Sequence, residues 1–236
     1  DPDLTVAQIV AEGLRIRGET DGEEIRRRVT AALANVGLDA TVLERTPGQI
    51  SGGQRQRVSI ARALAVEPRL LICDEPVSAL DASSRNHVLR LLRELRDSLG
   101  LPIVVISHDL SSLAGIADRV VVLYRGRIVE DGPVDLVFAA PRHPYTALLM
   151  ASAPTVRDDR PFAPHQLRRS APGPVQQAGP DACVFAVRCP FAAAICAAQP
   201  SLASVGERWS VACHRHEEWG ALAQSATSQE GPAHAR

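Results

Sequence analysis

Lysine is absent: all 26 basic side chains are arginine, so chemistry that needs an ε-ammonium has no donor within these 236 residues. An excess of either charge is lacking as well. The 26 basic and 27 acidic residues leave a formal charge of -1, and no global field draws the chain to nucleic acid or to an anionic membrane. Long apolar runs are missing, the most prominent being Val120-Val121-Val122-Leu123-Tyr124, far short of the roughly 20 residues of a membrane-crossing helix. No signal peptide is seen either, so a soluble, cytoplasmic protein is predicted. With 45% apolar and 22% charged side chains, a disordered polymer is excluded and one large or two smaller domains are affordable in core material.

Helical spacing comes first along the chain. Val6, Ile9, Val10, Leu14 and Ile16 mark a helix that Thr5 is placed to cap, and Ile25, Val29, Leu33 and Val36 mark a second, stopped by Gly37. Arg26, Arg27 and Arg28 fall on its solvated side. Ser51 and Gln54 form a capping-box pattern for a third helix reaching about Val66. Next come an apolar run at Leu70–Cys73, a helix over 84–98 and a second run at Ile103–Ile106. Strand, helix, strand implies a parallel pair buried on both faces. Val120–Leu123 and Arg127–Glu130, joined by Arg125-Gly126, read as a hairpin forming the antiparallel edge of that sheet. A proline-rich strap follows, and then four cysteines within 31 residues.

Several of these residues carry chemistry. Ser51-Gly52-Gly53-Gln54 places free backbone N–H groups at a helix N-terminus, the outline of a phosphate site, although Ser-Gly-Gly is also an ordinary loop. Asp74 and Glu75 stand at the carboxyl end of a parallel strand, where ligands gather in open α/β sheets. One carboxylate there can hold Mg²⁺ while its neighbour orients a hydrolytic water; the plainer alternative is a polar turn. His108 ends the next strand on the same side, within reach of a terminal phosphate. Asp81 can act simply as a helix cap.

Ile50-Ser51-Gly52-Gly53-Gln54-Arg55-Gln56-Arg57, Leu70-Leu71-Ile72-Cys73-Asp74-Glu75-Pro76, Ser78-Ala79-Leu80-Asp81 and Ser107-His108-Asp109 together resemble, in order and spacing, the nucleotide-binding subunit of ABC transporters. The resemblance implies an α/β fold: a partial P-loop ATPase (RecA-like) core with a helical signature subdomain and a C-terminal cysteine-containing extension. It implies Ser51, Gly52, Gly53 and Gln54 as the signature motif, Asp74 as the magnesium residue, Glu75 as general base, Asp81 as the D-loop and His108 as the switch histidine. Ile50 and Cys73 depart mildly from the family pattern. Arg142-His143-Pro144-Tyr145-Thr146-Ala147-Leu148-Leu149 and the cysteine module are similar to the C-terminal extension of oligopeptide and dipeptide importer ATPases, and nickel importers share much of the pattern.

The implied organisation is a helical subdomain over 1–66, the C-terminal half of the ATPase core over 67–153, a linker over 154–182, a four-cysteine module over 183–219 and a disordered tail over 220–236. The implied cofactors are ATP and Mg²⁺. The implied partners are a second nucleotide-binding subunit in a head-to-tail dimer, two membrane permeases and a substrate-binding protein, with no nucleic acid; the chain then lies on the inner face of the cell membrane. Gaps of five, six and sixteen residues separate Cys183, Cys189, Cys196 and Cys213, unlike the paired two-residue gaps of zinc ribbons. An iron–sulfur centre fits these gaps at least as well, and family members with a 4Fe-4S cluster point the same way. Zinc, with His214 able to replace one thiolate, is the second reading, and reduced cysteines without metal the third.

The family's phosphate loop, G-x-x-x-x-G-K-S/T, has no counterpart in a chain without lysine. Taken alone, the 236 residues are expected to be inactive. A degenerate, non-hydrolytic subunit with a sensing or assembly role, and an ABC ATPase of repair or translation, are the alternatives to a peptide importer.

Overall fold

The computed structural model describes residues 1–78, 80–108, 110–113, 115–152 and 179–221. Ala79, Asp109, and most of the expected linker and tail lie outside the described residues. The chain divides into two compact units, Asp1–His108 and Asp109–Arg236.

In the first unit, α1 (Val6–Ile16), α2 (Gly22–Asn35) and α3 (Gly52–Leu64) pack on one another. Each start is built by the residue before it. Thr5 and Gln8 make a capping box on α1, Asp21 accepts from Glu23 and Glu24 N–H on α2, and Ser51 with Gln54 makes a second box on α3. The turn after α2 needs Gly37 at φ 65°, where an L side chain is strained. Arg57 of α3 donates to the Val36 carbonyl at 3.2 Å beside it, satisfying an end of α2 that has no helical partner.

Strand β1 (Leu71–Asp74) pairs in parallel with β2 (Ile103–Ile106), Ile72 opposite Val104 and Asp74 opposite Ile106. They are joined by α4 (Ala82–Leu99), which Asp81 caps and Gly100 stops in the left-handed conformation. Its apolar stripe, Val88, Leu91, Leu92 and Leu95, is buried.

Burial on both faces of this pair is not observed. Leu71 and Cys73 face the core, whereas Ile72 at 60%, Ile106 at 50% and Val104 at 46% exposure lie open. With strict two-residue alternation, a single covered face leaves every second side chain uncovered.

The second unit contains α5 (Leu110–Leu113), the hairpin β3 (Arg119–Tyr124) and β4 (Arg127–Pro133), α6 (Val134–Ala139), α7 (Pro144–Ser152), β5 (Ala203–Gly206) and β6 (Trp209–Val211). The hairpin forms as the sequence predicts, with left-handed Arg125 and Gly126 at its turn. It is not the edge of the β1–β2 sheet among the described residues. It belongs to a four-stranded antiparallel sheet ordered β3-β4-β6-β5, in which Glu130 lies opposite Val211.

The competing edge came from the far end of the chain, and hydrophobic runs alone do not say which edge a strand will join. Gly132 is required at that joint, because a Cβ there would lie 2.6 Å from Trp209 Cδ1. A core of Val120, Val122, Tyr124, Val129, Leu148, Phe185, Cys189, Trp209 and Trp219 fills the unit.

Candidate functional site

The polar site of the first unit is assembled from the ends of its elements. Ser51 Oγ accepts from Gln54 N–H at 3.2 Å, and Gln54 Oε1 accepts from Ser51 N–H at 2.9 Å. The N–H groups of Gly52 and Gly53 have no partner among the described residues and point from a helix start that favours an anion. This turn packs beside the start of α4, since a Cβ on Gly53 would stand 3.7 Å from Ser84 Oγ and one on Gly52 3.9 Å from Leu80. Asp81 accepts from Ser83 and Ser84 N–H and from the Ser83 hydroxyl. These donors hold its carboxyl well below the usual range.

Asp74 is exposed at the end of β1. Glu75 continues the ladder, its N–H donating to the Ile106 carbonyl at 2.9 Å, but turns to φ 50°. A left-handed glutamate is unusual and costs of order 1 kcal/mol. Its carboxylate then meets His108, two residues beyond β2, Oε1 to Nδ1 at 2.7 Å. Parallel pairing thus brings Asp74, Glu75 and His108 to one end of one sheet.

The second unit holds a buried site. Cys183, Cys189, Cys196 and Cys213 line one cavity with His143, Phe185, Phe191, His214 and Trp219. Burial, reinforced by neighbouring thiols, pushes Cys189 up to about 12 and Cys213 up to about 11, and Cys183 upward as well. Backbone N–H groups nearby oppose this rise without outweighing burial, so the three thiols are held in the neutral form.

Among the described residues no three His, Cys, Asp or Glu are gathered for a single metal ion. The void is about 20 Å³, the room of one water. The expected iron–sulfur or zinc centre is therefore not matched by this arrangement: the four thiols line one cavity but are not gathered as a ligand set, and the space between them does not fit a cluster. His214 Nε2 is already bonded to the Ala198 carbonyl at 3.0 Å.

Two buried polar groups stand out in this unit: Glu130, which sequence reasoning missed, and His143, which it named only as part of the extension motif. Glu130, fully buried, accepts from Arg142 N–H (2.8 Å), His143 N–H (3.0 Å) and Trp209 Nε1–H (3.1 Å). Burial nevertheless raises its carboxyl. His143, 1% exposed, is pushed down to about 3 by burial and is neutral. An acid among the apolar residues of β4 was the only sequence signal for Glu130.

Residues 1–78 match the family model described as ABC transporter, and residues 129–196 the one described as Oligopeptide/dipeptide transporter, C-terminal region. A Brucella ovis relative is 42% identical over 215 residues, 91% of this chain and 67% of its own length. The chain belongs to the ATP-binding proteins of oligopeptide/dipeptide ABC transporters. The oligopeptide transport ATP-binding protein OppF of Escherichia coli K12 is 42% identical over 216 residues, covering 90% of this ABC chain. OppF of Salmonella typhimurium is 41% identical over 216 residues, also 90% of the chain. The chain spans 64% of the length of both OppF relatives.

Among solved structures, cbiO1 from Clostridium perfringens, part of the ABC transporter complex cbiONQ, aligns with TM-score 0.53 and 34% identity, over 59% of this chain and 57% of that one. The two family matches fall on the two sites: the first contains Ser51–Gln54, Asp74 and Glu75, and the second contains Glu130, His143 and three of the cysteines. No helix among the described residues is long and apolar enough to cross a membrane.

Proposed function

We propose that the chain is part of the ATP-hydrolysing subunit of an importer for oligopeptides or dipeptides. The observation that carries this reading is the Glu75–His108 contact beside Asp74 at the carboxyl end of parallel strands. Asp74, an exposed carboxylate with room for waters, suits Mg²⁺, which supplies charge neutralisation to the phosphates. Glu75 accepts the proton of the attacking water, and His108, fixed against it through Nδ1, faces the terminal phosphate with its other nitrogen. Ser51, Gly52, Gly53 and Gln54 offer N–H and hydroxyl groups to a nucleotide held by a second, head-to-tail subunit, and Asp81 shapes the neighbouring turn.

With no lysine among the 236 residues, the loop that grips the β- and γ-phosphates comes from outside them. These residues alone turn over no ATP. In the working assembly two membrane permeases and a substrate-binding protein complete the importer, and the chain sits on the inner membrane face. No nucleic acid takes part.

The deciding experiment uses the assembled importer with the full-length subunit. Glu75→Gln leaves ATP binding intact and lowers hydrolysis by about 10²–10⁴-fold, because a neutral amide cannot take the proton. Unchanged turnover sinks the assignment. Stimulation of hydrolysis by the binding protein loaded with peptide, and not with nickel, separates the two cargoes. A full-length subunit that binds ATP but never hydrolyses it makes the non-hydrolytic reading the right one.

For the four thiols the reading is a sulfur-ligated centre, a 4Fe-4S cluster ahead of zinc; its support is the one cavity that all four line, and it requires that cavity to open, since no metal-binding group stands assembled among the described residues. Cys183, Cys189, Cys196 and Cys213 are the ligands, and when bound the centre cross-links turns that have little secondary structure of their own. Iron, acid-labile sulfide and zinc measured on anaerobically purified protein decide this. Stoichiometric zinc without sulfide rules out the cluster.

A further inference from the structure

Tyr124, at the end of β3, gathers arginines that have no acid to pair with. The Arg125 guanidinium carbon lies 5.8 Å from the Tyr124 ring centroid and that of Arg188 5.9 Å, so two cations share one ring. Arg188 also donates from Nη1 to the Tyr124 hydroxyl at 3.4 Å, and Arg127 stands opposite Tyr124 in the hairpin register. All three arginines are exposed. Among the described residues no carboxylate is within ion-pair distance of any of them, whereas Arg27, Arg62, Arg119 and Arg215 each hold one. Guanidiniums held around one ring repel one another, and contact with the aromatic face offsets that only in part.

The hydroxyls at this place are donors as well. Tyr124, 7% exposed, is locked by Tyr145 and Phe185, whose ring centroids lie 4.6 and 5.2 Å from its own. Because its oxygen accepts from Arg188, its own proton is left for an outside acceptor. The Tyr145 hydroxyl has no hydrogen-bond partner among the described residues, and burial together with the neighbouring Tyr124 raises it, so it keeps its proton. Three guanidiniums and two phenols present more positive charge and more N–H and O–H groups than one carboxylate can use. A phosphate group, with up to two charges and three free oxygens, is the anion that matches. We infer that Tyr124, Arg125, Arg127, Tyr145 and Arg188 form a binding site for a phosphate group, carried by a soluble polyphosphate or by a lipid headgroup. Every one of these residues lies in the second unit, apart in sequence from the groups assigned to ATP hydrolysis.

The test uses the full-length subunit with its nucleotide site filled by ADP, and it has two arms. Calorimetric titration with inorganic pyrophosphate reads the soluble source; flotation with phosphatidylcholine vesicles, with and without phosphatidylglycerol, reads the headgroup. Pyrophosphate binding alone assigns the site to a soluble ligand, and binding only to vesicles that contain phosphatidylglycerol assigns it to lipid. In the arm that binds, Arg188→Gln is expected to weaken affinity at least about tenfold, the loss of one charge-assisted hydrogen bond. Arg27→Gln removes the same charge from α2 and is expected to change affinity less than about twofold, because a distant exposed charge is screened. Tyr145→Phe keeps the ring, removes the hydroxyl and is expected to weaken binding about two- to tenfold.

Wild-type subunit that binds neither pyrophosphate nor phosphatidylglycerol vesicles overturns the inference. So does equal weakening by Arg188→Gln and Arg27→Gln, which marks an unspecific attraction to positive charge. A measurement on unaltered protein covers the case where the variants do not fold. Phenylglyoxal modification of arginine, read residue by residue by mass spectrometry, is expected to slow at Arg125 and Arg188 when the ligand is bound and to stay the same at Arg27. Unchanged modification at Arg125 and Arg188 places the anion elsewhere and overturns the site.

Discussion

The two sites differ in how their residues are held. In the first unit Ser51 is fixed by Gln54, and Asp81 by Ser83 and Ser84, neighbours within three positions; the charged groups stay in solvent, with His108 79% exposed. In the second unit the buried groups are tied across the chain. Glu130 is bound to Trp209, Trp219 Nε1–H donates to the Arg142 carbonyl at 2.8 Å, and Cys183 N–H to the Cys196 carbonyl at 3.0 Å. An exposed site built from caps can be altered at small expense in stability, whereas a buried one is part of the core that holds it. Function and stability are separable in the first unit and fused in the second.

Three perturbations sharpen this contrast. The largest effect is expected from Glu130→Ala, which strands two backbone N–H groups and the Trp209 indole N–H in the interior. At about 1–3 kcal/mol per stranded donor, the second unit loses roughly 3 kcal/mol or more. Denaturant unfolding followed at Trp209 and Trp219 measures it, and a loss under about 1 kcal/mol breaks the contrast.

Ser51→Ala removes one cap from α3 and is expected to cost about 1 kcal/mol, with hydrogen exchange rising in the first turn of α3 and nowhere in the second unit. The smallest effect is the pH response of α4. Asp81 has its carboxyl depressed by the N–H and hydroxyl donors around it, so its contribution is present above the ordinary carboxylate range near pH ~4 and fades as pH falls below it. Amide exchange at Ser83 and Ser84 should accelerate only in acid. Equal protection at pH 6 and in strong acid contradicts the cap.

The same contrast explains what was legible in the sequence. Thr5, Ser51 and Gln54 announce helix starts because capping is a three-residue affair, and Asp74, Glu75 and His108 could be placed together because parallel strands share one carboxyl end. The cysteines were visible as a set. Glu130 was not, because its meaning depends on Trp209, 79 positions away, and no periodicity joins them. The exposure of Ile72, Val104 and Ile106 was missed for a related reason: an apolar strand face reads as buried, yet what covers it is decided by elements elsewhere.

The pairing of β4 with β6 also sets an order in time. During synthesis β4 emerges well before its partner, since residues 134–208 must be made first, which at ~5–20 residues per second takes about 4–15 s. Throughout that interval the nascent hairpin offers an open backbone edge, a template for pairing with any passing strand. The ribosome-bound chain is therefore most vulnerable to misassociation in those seconds, until Trp209 arrives to close over Gly132.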